Sequence, residues 1–213
     1  MNHLLIIEDC PFACEGYKNL LKQEQVFKTK FQLTFANDCD TAIKQIKNGN
    51  YDIVILDIQL PVSKNEKYLC GEDLGLLIRN TQPNTKIIVI TNISDALRIT
   101  SIINELKPEG FIIKAKSDPK DLIDAINHIL NNKIYYCKAI KKYIASTNMH
   151  TMIDDLDRQI LHHLSMGEKT KDLCKLIPLS HRAIEDRKRK LTALLDIDNS
   201  FNLIKEAKRI GYI

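Results

Sequence analysis

The chain has 213 residues, which is room for one domain of ordinary size and one small domain. Hydrophobic residues make up 44% and charged residues 27% of the sequence, so the composition is that of a globular protein and excludes a low-complexity chain. No stretch approaches the ~20 consecutive apolar residues of a membrane span, and the start lacks the basic segment of a signal peptide. We therefore expect a cytoplasmic protein with no membrane partner.

The net charge of +4 is unevenly distributed along the chain. Residues 1–130 have 15 Lys+Arg and 17 Asp+Glu, residues 131–150 have four lysines and no acid, and residues 151–213 have 12 basic and 10 acidic residues. The C-terminal part is therefore the part suited to a polyanion. The six cysteines include no CxxC pair, and no histidine has zinc-finger spacing, so we expect reduced thiols and no zinc site.

The first 130 residues alternate short apolar runs with stretches of helical periodicity. The apolar runs predict five strands, at His3–Ile7, Phe31–Phe35, Ile53–Leu56, Lys86–Ile90 and Gly110–Ile113. The stretches between them predict helices at about Phe12–Val26, Thr41–Asn48, Glu72–Asn80, Asp95–Leu106 and Pro119–Leu130. This alternation predicts an α/β fold, a doubly wound five-stranded parallel sheet with helices on both faces. All strand C-termini then lie along one edge of the sheet.

The sequence pattern of the remaining residues predicts a linker at 131–151 and a small all-α domain at 152–213. Tyr135-Tyr136 suggests a short extended piece within the linker, and Lys138 to Asn148 is polar without a clean period. In the all-α domain we predict four helices. The first runs through Leu156, Ile160, Leu161 and Leu164 and ends at Gly167, and the second is a short helix from about Thr170 to Ile177. The third is longer and starts at His181 with Ser180 as its N-cap, and the last runs from Asn199 or Ser200 to Gly211.

Acids, a hydroxyl and an amine follow the predicted strands at their C-terminal ends. These residues are Glu8-Asp9, Asp57, Thr91 and Lys114. Because parallel strands end at the same sheet edge, we expect these side chains to converge. Asp9, Asp57 and the backbone carbonyl of Gln59 offer the oxygen ligands that Mg²⁺ prefers, and Glu8 can hold a ligand water. This set predicts a magnesium-dependent phosphoryl acceptor at Asp57, with Lys114 and Thr91 contacting the transferred group.

These strand-end motifs resemble the receiver domain of two-component response regulators. They are Glu8-Asp9, Leu56-Asp57-Ile58-Gln59-Leu60-Pro61, Ile90-Thr91 and Gly110-Phe111-Ile112-Ile113-Lys114. The resemblance covers residues 1 to about 130 and implies a flavodoxin-like fold. It implies that Asp57 is the phosphorylated aspartate, that Glu8 and Asp9 form the acidic pocket and that Thr91 and Lys114 bind the phosphoryl group. It also implies that Phe111 is the switch aromatic and that a sensor histidine kinase is the phosphoryl donor.

Two departures from the family pattern lie beside the acceptor. The loop at residues 62–70 delays the glycine, here Gly71, by about six residues relative to the family. Asn92 stands where the family favours a small residue.

The helix predicted from His181 has one apolar and one polar face. Ile184, Leu191 and Leu195 point inward, and a rotation of about 100° per residue places Arg182, Asp186 and Arg189 opposite them, with Glu185 and Lys190 at the flanks. Arginine can bridge guanine O6 and N7, and a carboxylate can accept from cytosine N4. The predicted phosphate contacts are Arg182, Lys188 and Lys190, and we also expect Ser180 at the helix start to be a DNA-binding residue.

The stretch from Leu156 to Ile213 is similar to the LuxR-type helix-turn-helix of response regulators. The matching residues are Leu156-Asp157-Arg158, Gly167, the run from Leu179 to Glu185, Ala207 and Gly211. The resemblance maps base-facing positions to Glu185, Asp186 and Arg189. Ala183 and Arg187 replace the threonine and histidine that are usual there, and two acids at base-facing positions are unusual.

We therefore predict a transcription regulator that is switched by phosphorylation, binds double-stranded DNA and forms a homodimer when phosphorylated. One alternative is a regulator whose C-terminal domain binds a protein, and another is a degenerate receiver that acts without phosphorylation. A phosphatase of the haloacid dehalogenase type is disfavoured, because Gln59 stands where such an enzyme needs an aspartate acid/base. We expect no enzymatic activity beyond assistance to the protein's own phosphorylation and dephosphorylation.

Overall fold

The computed structural model describes residues 2–24, 31–64, 66–146, 153–195, 197 and 202–213. The contact pattern divides the chain into two compact units. The first unit comprises Met1–Asn92 and Ile102–Ala145, and the second comprises Ile93–Ser101 and Ser146–Ile213. Among the described residues, no helix is both long and apolar enough to cross a membrane.

The first unit is built on a parallel sheet. Its strands are β1 Asn2–Ile7, β2 Phe31–Ala36, β3 Ile53–Asp57, β4 Lys86–Thr91, β5 Gly110–Ile113 and β6 Tyr135–Tyr136, in the sheet order β2-β1-β3-β4-β5-β6. Its helices are α1 Pro11–Gln23, α2 Cys39–Asn48, α3 Gly71–Thr81, α4 Ala96–Leu106, which runs across the boundary between the units, α5 Pro119–Leu130 and α6 Lys138–Ser146. The predicted doubly wound fold is confirmed, with one short strand more than the five predicted.

Burial on both faces explains why these strands are nearly continuous apolar runs. Every residue of β3 is buried, and so are the last five residues of β4. Alternate strand residues such as Leu4, Ile6 and Ile55 pack in one cluster with Leu21 of α1 and with residues of α5. The residues between them are buried on the other face. Charged or hydroxyl side chains are therefore favourable only at the strand ends, which is where the polar site lies.

The predicted linker contains a helix. We predicted no regular structure from Lys138 onward because its lysines obscure the period, yet residues 138–146 form α6. Cys137 and Ile140 are buried, and the Cys137 N–H donates to the carbonyl oxygen of Phe111 at 3.0 Å. Tyr135-Tyr136, predicted as an extended piece, pairs with Gly110 and Phe111 of β5. The end of the predicted linker, at Asn148 and Thr151, lies outside the described residues, as does Val26 at the predicted end of the first helix.

The C-terminal part of the second unit is helical, as predicted. It contains α7 Asp155–Ser165, a 3₁₀ turn at Leu173–Lys175, α8 His181–Leu194 and α9 Leu203–Arg209. The predicted helix from Thr170 to Ile177 is wrong, because only the short 3₁₀ turn forms there. Pro178 prevents its continuation, and one turn between Asp172 and Pro178 is too short for the cost of starting an α-helix. The predicted starts of the last helix, Asn199 and Ser200, lie outside the described residues.

Two small apolar clusters hold the helices of this unit together. Ile160, Leu173, Ile177 and Ile184 form one, and the other contains Leu161, Leu191, Leu195, Leu203, Ala207 and Ile210. The predicted inward positions of α8, Ile184, Leu191 and Leu195, are thus confirmed. The segment Ile93–Ser101 belongs to the same unit: the Ser101 hydroxyl donates to the Ile153 carbonyl oxygen at 2.6 Å, and the buried Arg98 guanidinium lies 4.3 Å from the centre of the Tyr212 ring.

Candidate functional site

The predicted acidic residues converge at the C-terminal edge of the sheet. Asp57 ends β3, and Glu8 and Asp9 directly follow the neighbouring strand β1. Ligand oxygens of the three carboxylates lie within 4.8 Å of one another. Glu8 and Asp57 are buried, and Asp9 is exposed. The convergence expected from parallel strand order is therefore present in the structure.

Lys114, the residue after β5, joins two of these carboxylates. Its Nζ donates to Asp57 Oδ2 at 2.7 Å and to Glu8 Oε1 and Oε2 at 2.9 and 2.7 Å. Burial by itself would lower the pKa of Lys114, but the hydrogen bonds to Asp57 and Glu8 outweigh it and raise the pKa above its usual range. The ammonium group is therefore charged throughout the neutral range and fixed beside the carboxylate of Asp57.

Burial, a neighbouring charge and hydrogen bonds act together on Glu8. Burial raises the pKa of its carboxyl group, the charge of Asp57 raises it further, and the hydrogen bond from Lys114 lowers it in part. The Cys10 N–H also donates to Glu8 Oε1 at 3.3 Å. One ammonium group thus faces three carboxyl groups. An all-oxygen donor set with excess negative charge fits a hard divalent cation such as Mg²⁺.

Gln59 connects the acceptor to the end of β4. Its backbone N–H donates to Asp57 Oδ1 at 2.9 Å. Its side-chain Oε1 accepts from the Thr91 hydroxyl at 3.5 Å and from the Asn92 N–H at 3.2 Å. The ligand role of its backbone carbonyl remains a prediction.

Thr91 and Phe111, the two predicted switch residues, both lie buried in the sheet. Thr91 is the last residue of β4 and is fully buried, and Phe111 in β5 is fully buried as well. The Phe111 ring contacts Tyr136 of β6 edge to face, with the ring centres 6.5 Å apart. Their proposed switch roles depend on a second conformation and stay predictions.

The long loop after Asp57 returns to the acceptor strand at Gly71. A Cβ at Gly71 would lie 1.9 Å from the Asp57 carbonyl oxygen and 2.8 Å from Ile58 Cα. Only glycine permits this approach, and the Gly71 N–H donates to the Ile58 carbonyl oxygen at 3.0 Å. Within the loop, the Ser63 N–H donates to the Tyr68 carbonyl oxygen at 2.9 Å, and the Tyr68 N–H donates to the Ser63 hydroxyl oxygen at 3.0 Å. The sequence indicated a displaced glycine but not its contact with Asp57.

The predicted DNA-binding residues lie on α8 and at its start. Ser180 caps the helix by accepting from the Ala183 N–H at 3.2 Å, so it has a structural role whether or not it contacts DNA. The remaining predicted residues differ in exposure: Arg182, Asp186, Arg189 and Lys190 are exposed, whereas Glu185 and Lys188 are partly buried.

Several charged groups of α8 are paired with other residues. Arg189 forms an ion pair with Asp186, which lies one turn earlier on the same exposed face. The Lys188 ammonium donates to the Thr170 hydroxyl at 2.8 Å, and its side chain is only 16% exposed. Lys188 is thus held against its own unit, unlike the exposed Arg182 and Arg189. Its role as a phosphate contact remains a prediction that this geometry does not favour.

An ion-pair cluster that the sequence did not indicate fixes α8 against the start of α7. Arg187 Nη1 donates to both carboxylate oxygens of Asp154 at 2.8 Å and to Asp157 Oδ1 at 2.7 Å. Lys190 Nζ donates to Asp157 Oδ2 at 3.1 Å, and Asp157 is fully buried. These partners lie 30 to 33 residues apart, so no local pattern reveals them. Arg187 thereby acts in packing.

Comparisons with known proteins agree on one protein family. Residues 4–127 match the model of the response regulator receiver domain. The Fimbriae Z protein of Salmonella typhimurium is 26% identical over 81% of this chain and 81% of its own length. The transcriptional regulatory protein ComA of Bacillus subtilis is 23% identical over the full length of both chains. The structure of RcsB from Salmonella enterica bound to promoter rprA has a similar fold, with a TM-score of 0.72 and 19% identity over 97% of this chain and 98% of that chain.

Proposed function

Since the chain belongs to the family of response regulator receiver domains, we propose that it accepts a phosphoryl group on Asp57 and regulates transcription through its C-terminal helices. The proposed donor is a phosphohistidine of a sensor kinase, and the proposed target is double-stranded DNA. The proposed place of action is the cytoplasm, because all six cysteines are free thiols, as is usual in a reducing compartment.

One observation carries the acceptor role. The Asp57 carboxylate lies 2.7 Å from the Lys114 ammonium and within 4.8 Å of the carboxylates of Glu8 and Asp9, at the end of a fully buried strand. A buried carboxylate is unfavourable unless it is paired. This arrangement supports an acceptor that is oriented before its donor arrives.

The transfer itself needs little covalent assistance from the protein. A carboxylate oxygen of Asp57 forms the new P–O bond while the P–N bond of the phosphohistidine breaks, and the imidazole leaves with the electron pair. Lys114 balances the negative charge that accumulates on the transferred oxygens. The Thr91 hydroxyl then donates to the phosphoryl group of the product. These roles follow from position and charge.

The carboxylates of Glu8, Asp9 and Asp57 would hold the divalent cation. When bound, Mg²⁺ supplies charge neutralisation between the anionic acceptor and the anionic donor. Glu8 and Lys114 together keep the Asp57 oxygens oriented, because the ammonium group that donates to Asp57 also donates to both carboxylate oxygens of Glu8.

The C-terminal helices support a role in DNA binding. Arg182 and Arg189 are exposed on α8, opposite the buried residues Ile184 and Leu191. A rigid helix with basic residues on its free face suits the major groove. Residues Ile93–Ser101, which directly follow Thr91 and Asn92, belong to the same compact unit as these helices. This direct connection along the chain supports a transfer of the signal from Thr91 to the C-terminal helices.

The test is phosphorylation by a small-molecule donor. The protein is incubated with Mg²⁺ and acetyl phosphate, and intact-mass spectrometry counts the phosphoryl groups added. We expect one group on the wild type, none on Asp57→Asn and none when Mg²⁺ is removed by chelation. Asp52→Asn is the matched control, because Asp52 is an exposed acid just before β3, at the opposite end of the strand, and it should be labelled like the wild type.

A mobility-shift assay with pooled genomic fragments then tests the output. We expect acetyl phosphate to strengthen DNA binding of the wild type and to leave Asp57→Asn unchanged. Labelling that persists in Asp57→Asn would reject the acceptor, and equal DNA binding with and without labelling would favour a receiver that acts independently of phosphorylation.

A protein-binding output is the second candidate. The observation that favours it is the pairing of Asp186 with Arg189 and of Glu185 with Lys188, which reduces the positive charge that α8 offers to DNA. Failure to shift any DNA fragment in either phosphorylation state, with intact labelling at Asp57, would support this alternative.

A further inference from the structure

A cavity of about 400 Å³ lies between the 3₁₀ turn Lys114–Lys116 and the first two turns of α6. We call it the lysine pocket, and its lining residues are Lys116, Lys138, Ala139, Lys142 and Tyr143. Three of these five side chains carry a positive charge, and none is acidic. The volume falls within the range of about 300–1,000 Å³ that is usual for small-molecule sites.

Within the described part of the chain, no acid forms an ion pair with a lysine of the lysine pocket. Lys138 and Lys142 form no hydrogen bond or ion pair with the residues that the structure describes. The Lys116 ammonium donates to the Tyr143 hydroxyl at 2.7 Å, a neutral partner. The sequence contains no aspartate or glutamate from residue 125 to residue 153, so α6 brings no acid of its own. Three ammonium groups around one concave surface create a positive potential that attracts anions.

The direction of α6 adds to this potential. Lys138 is the first residue of this nine-residue helix, and Lys138 and Ala139 of its first turn line the pocket. The N-terminal end of a helix carries a partial positive charge and N–H groups without intrahelical acceptors. Buried Cys137 and Ile140 anchor this turn in the first unit. The lysines are therefore presented from a fixed element.

We propose that the lysine pocket binds a small anion that carries a diphosphate group. Three ammonium groups match the several negative charges of a diphosphate better than they match the one charge of a carboxylate. A concave cavity of this size admits a small molecule, whereas the phosphates of duplex DNA lie on a convex rod. The two sources of this chemistry are inorganic pyrophosphate and a nucleoside diphosphate, whose base could stack on the Tyr143 ring.

The pocket is coupled to the acceptor through one short turn. Lys116 lines the pocket, and Lys114, two residues earlier in the same 3₁₀ turn, donates to Asp57. An anion that holds Lys116 therefore restrains the backbone that positions the Lys114 ammonium. The consequence for phosphorylation rests on the proposed function, whereas the binding itself does not.

Calorimetric titration of the full-length protein tests the binding. Sodium pyrophosphate and ADP are the two probes, used at low salt with a chelator present so that neither probe binds through a metal ion. We expect both to bind, and we expect Lys138→Gln and Lys142→Gln each to weaken the affinity about tenfold, the effect of one charge-assisted hydrogen bond. Lys141→Gln is the matched control, because Lys141 is equally exposed on α6 but does not line the pocket.

The outcomes separate the sources and the alternatives. Equal affinity for the two probes assigns recognition to the diphosphate, and tighter binding of ADP adds a contact with the nucleoside; either supports the proposal. Absence of binding by both probes overturns it, and so does an equal loss in Lys141→Gln, which would indicate only general charge attraction. A short DNA duplex is titrated in parallel. Loss of duplex affinity in Lys138→Gln and Lys142→Gln without diphosphate binding would assign these lysines to DNA and overturn the proposal.

The titrations require no phosphorylation of the protein. Failure of diphosphate binding therefore leaves the expected labelling of Asp57 unaffected.

Discussion

At Gly71 a missing side chain determines the geometry of the acceptor. A methyl group there would lie 1.9 Å from the Asp57 carbonyl oxygen, far inside contact distance. We predict that Gly71→Ala lowers the free energy of unfolding by about 1–3 kcal/mol, the usual cost of overpacking. The added methyl group should also push Asp57 away from Lys114, so we expect the labelling of Asp57 by acetyl phosphate to be slower. Urea unfolding and intact-mass time courses measure the two effects.

Gly16→Ala is the matched control for this prediction. Gly16 lies inside α1, is exposed, and an added Cβ would meet no atom within 4 Å. Alanine at such a helical position should stabilise the protein by about 0.4–1 kcal/mol. If both variants were stable and labelled at the wild-type rate, the close approach at Gly71 would have no influence on the acceptor.

At the same scale, the sequence predicts residues at strand ends and misses contacts across the fold. Asp57 and Lys114 were predicted to meet because parallel order alone brings their strand ends together. The hydrogen bonds from Lys114 to Glu8, and the approach of Gly71 to Asp57, depend on side-chain reach and loop path, which no local pattern encodes. Both became visible only with the tertiary structure.

Among the elements, α8 depends on ion pairs with the start of α7. Burial by itself would raise the pKa of Asp154, but the hydrogen bonds from the Arg187 guanidinium and the Asp157 N–H together lower it. Because the folded pKa is lower than the unfolded one, this carboxylate stabilises the fold fully above its unfolded pKa of about 3.9, and the contribution is lost as the pH falls through the folded pKa. Asp154→Asn should therefore be less stable than the wild type at pH 7. The difference should vanish in acid.

Urea unfolding followed by helical circular dichroism at several pH values checks this dependence. Asparagine is itself a good N-cap, so the variant removes the charge and keeps the cap of α7. Asp172→Asn is the control, because its pair with Lys175 is a surface i,i+3 ion pair that should contribute little. A loss of stability in Asp154→Asn that stays constant down to low pH would indicate a steric effect and contradict the ion-pair explanation.

The exposed face of α8 gives a prediction for DNA recognition. We expect Arg189→Ala to weaken specific binding by about 1–3 kcal/mol, the scale of one bidentate base contact. Arg209→Ala is the matched control, since Arg209 of α9 is also exposed and also pairs with an acid three residues earlier. Fluorescence anisotropy with a selected fragment measures both variants. Equal affinities for Arg189→Ala and the wild type would mean that this face does not enter the groove.

Elements with strong apolar periods were predictable, and short polar ones were not. Strand β3 and helix α5 were recognised from continuous or periodic apolar residues. In α6, by contrast, lysines surround the few residues that are buried, and its stability comes from packing rather than from a visible period. The extended shape of β6 was predicted from Tyr135-Tyr136, but its pairing with β5 was not. The 3₁₀ turn at Leu173–Lys175 shows the reverse error, a helical pattern too short to form an α-helix.

For the whole molecule, the homodimer predicted for the phosphorylated protein requires that phosphorylation and self-association be linked. If the phosphorylated form pairs more tightly, then pairing must by the same factor favour phosphorylation. We predict that acetyl phosphate with Mg²⁺ strengthens homodimer formation about 5–150-fold, the usual range of such coupling. Sedimentation equilibrium across a concentration series measures the dimerisation constant, with Asp57→Asn as the unlabelled reference.

In the reciprocal measurement, DNA with two adjacent half-sites should raise the labelled fraction of the protein, while DNA with a single half-site should raise it less. A dimerisation constant that is the same for labelled wild type and Asp57→Asn would remove pairing from the mechanism.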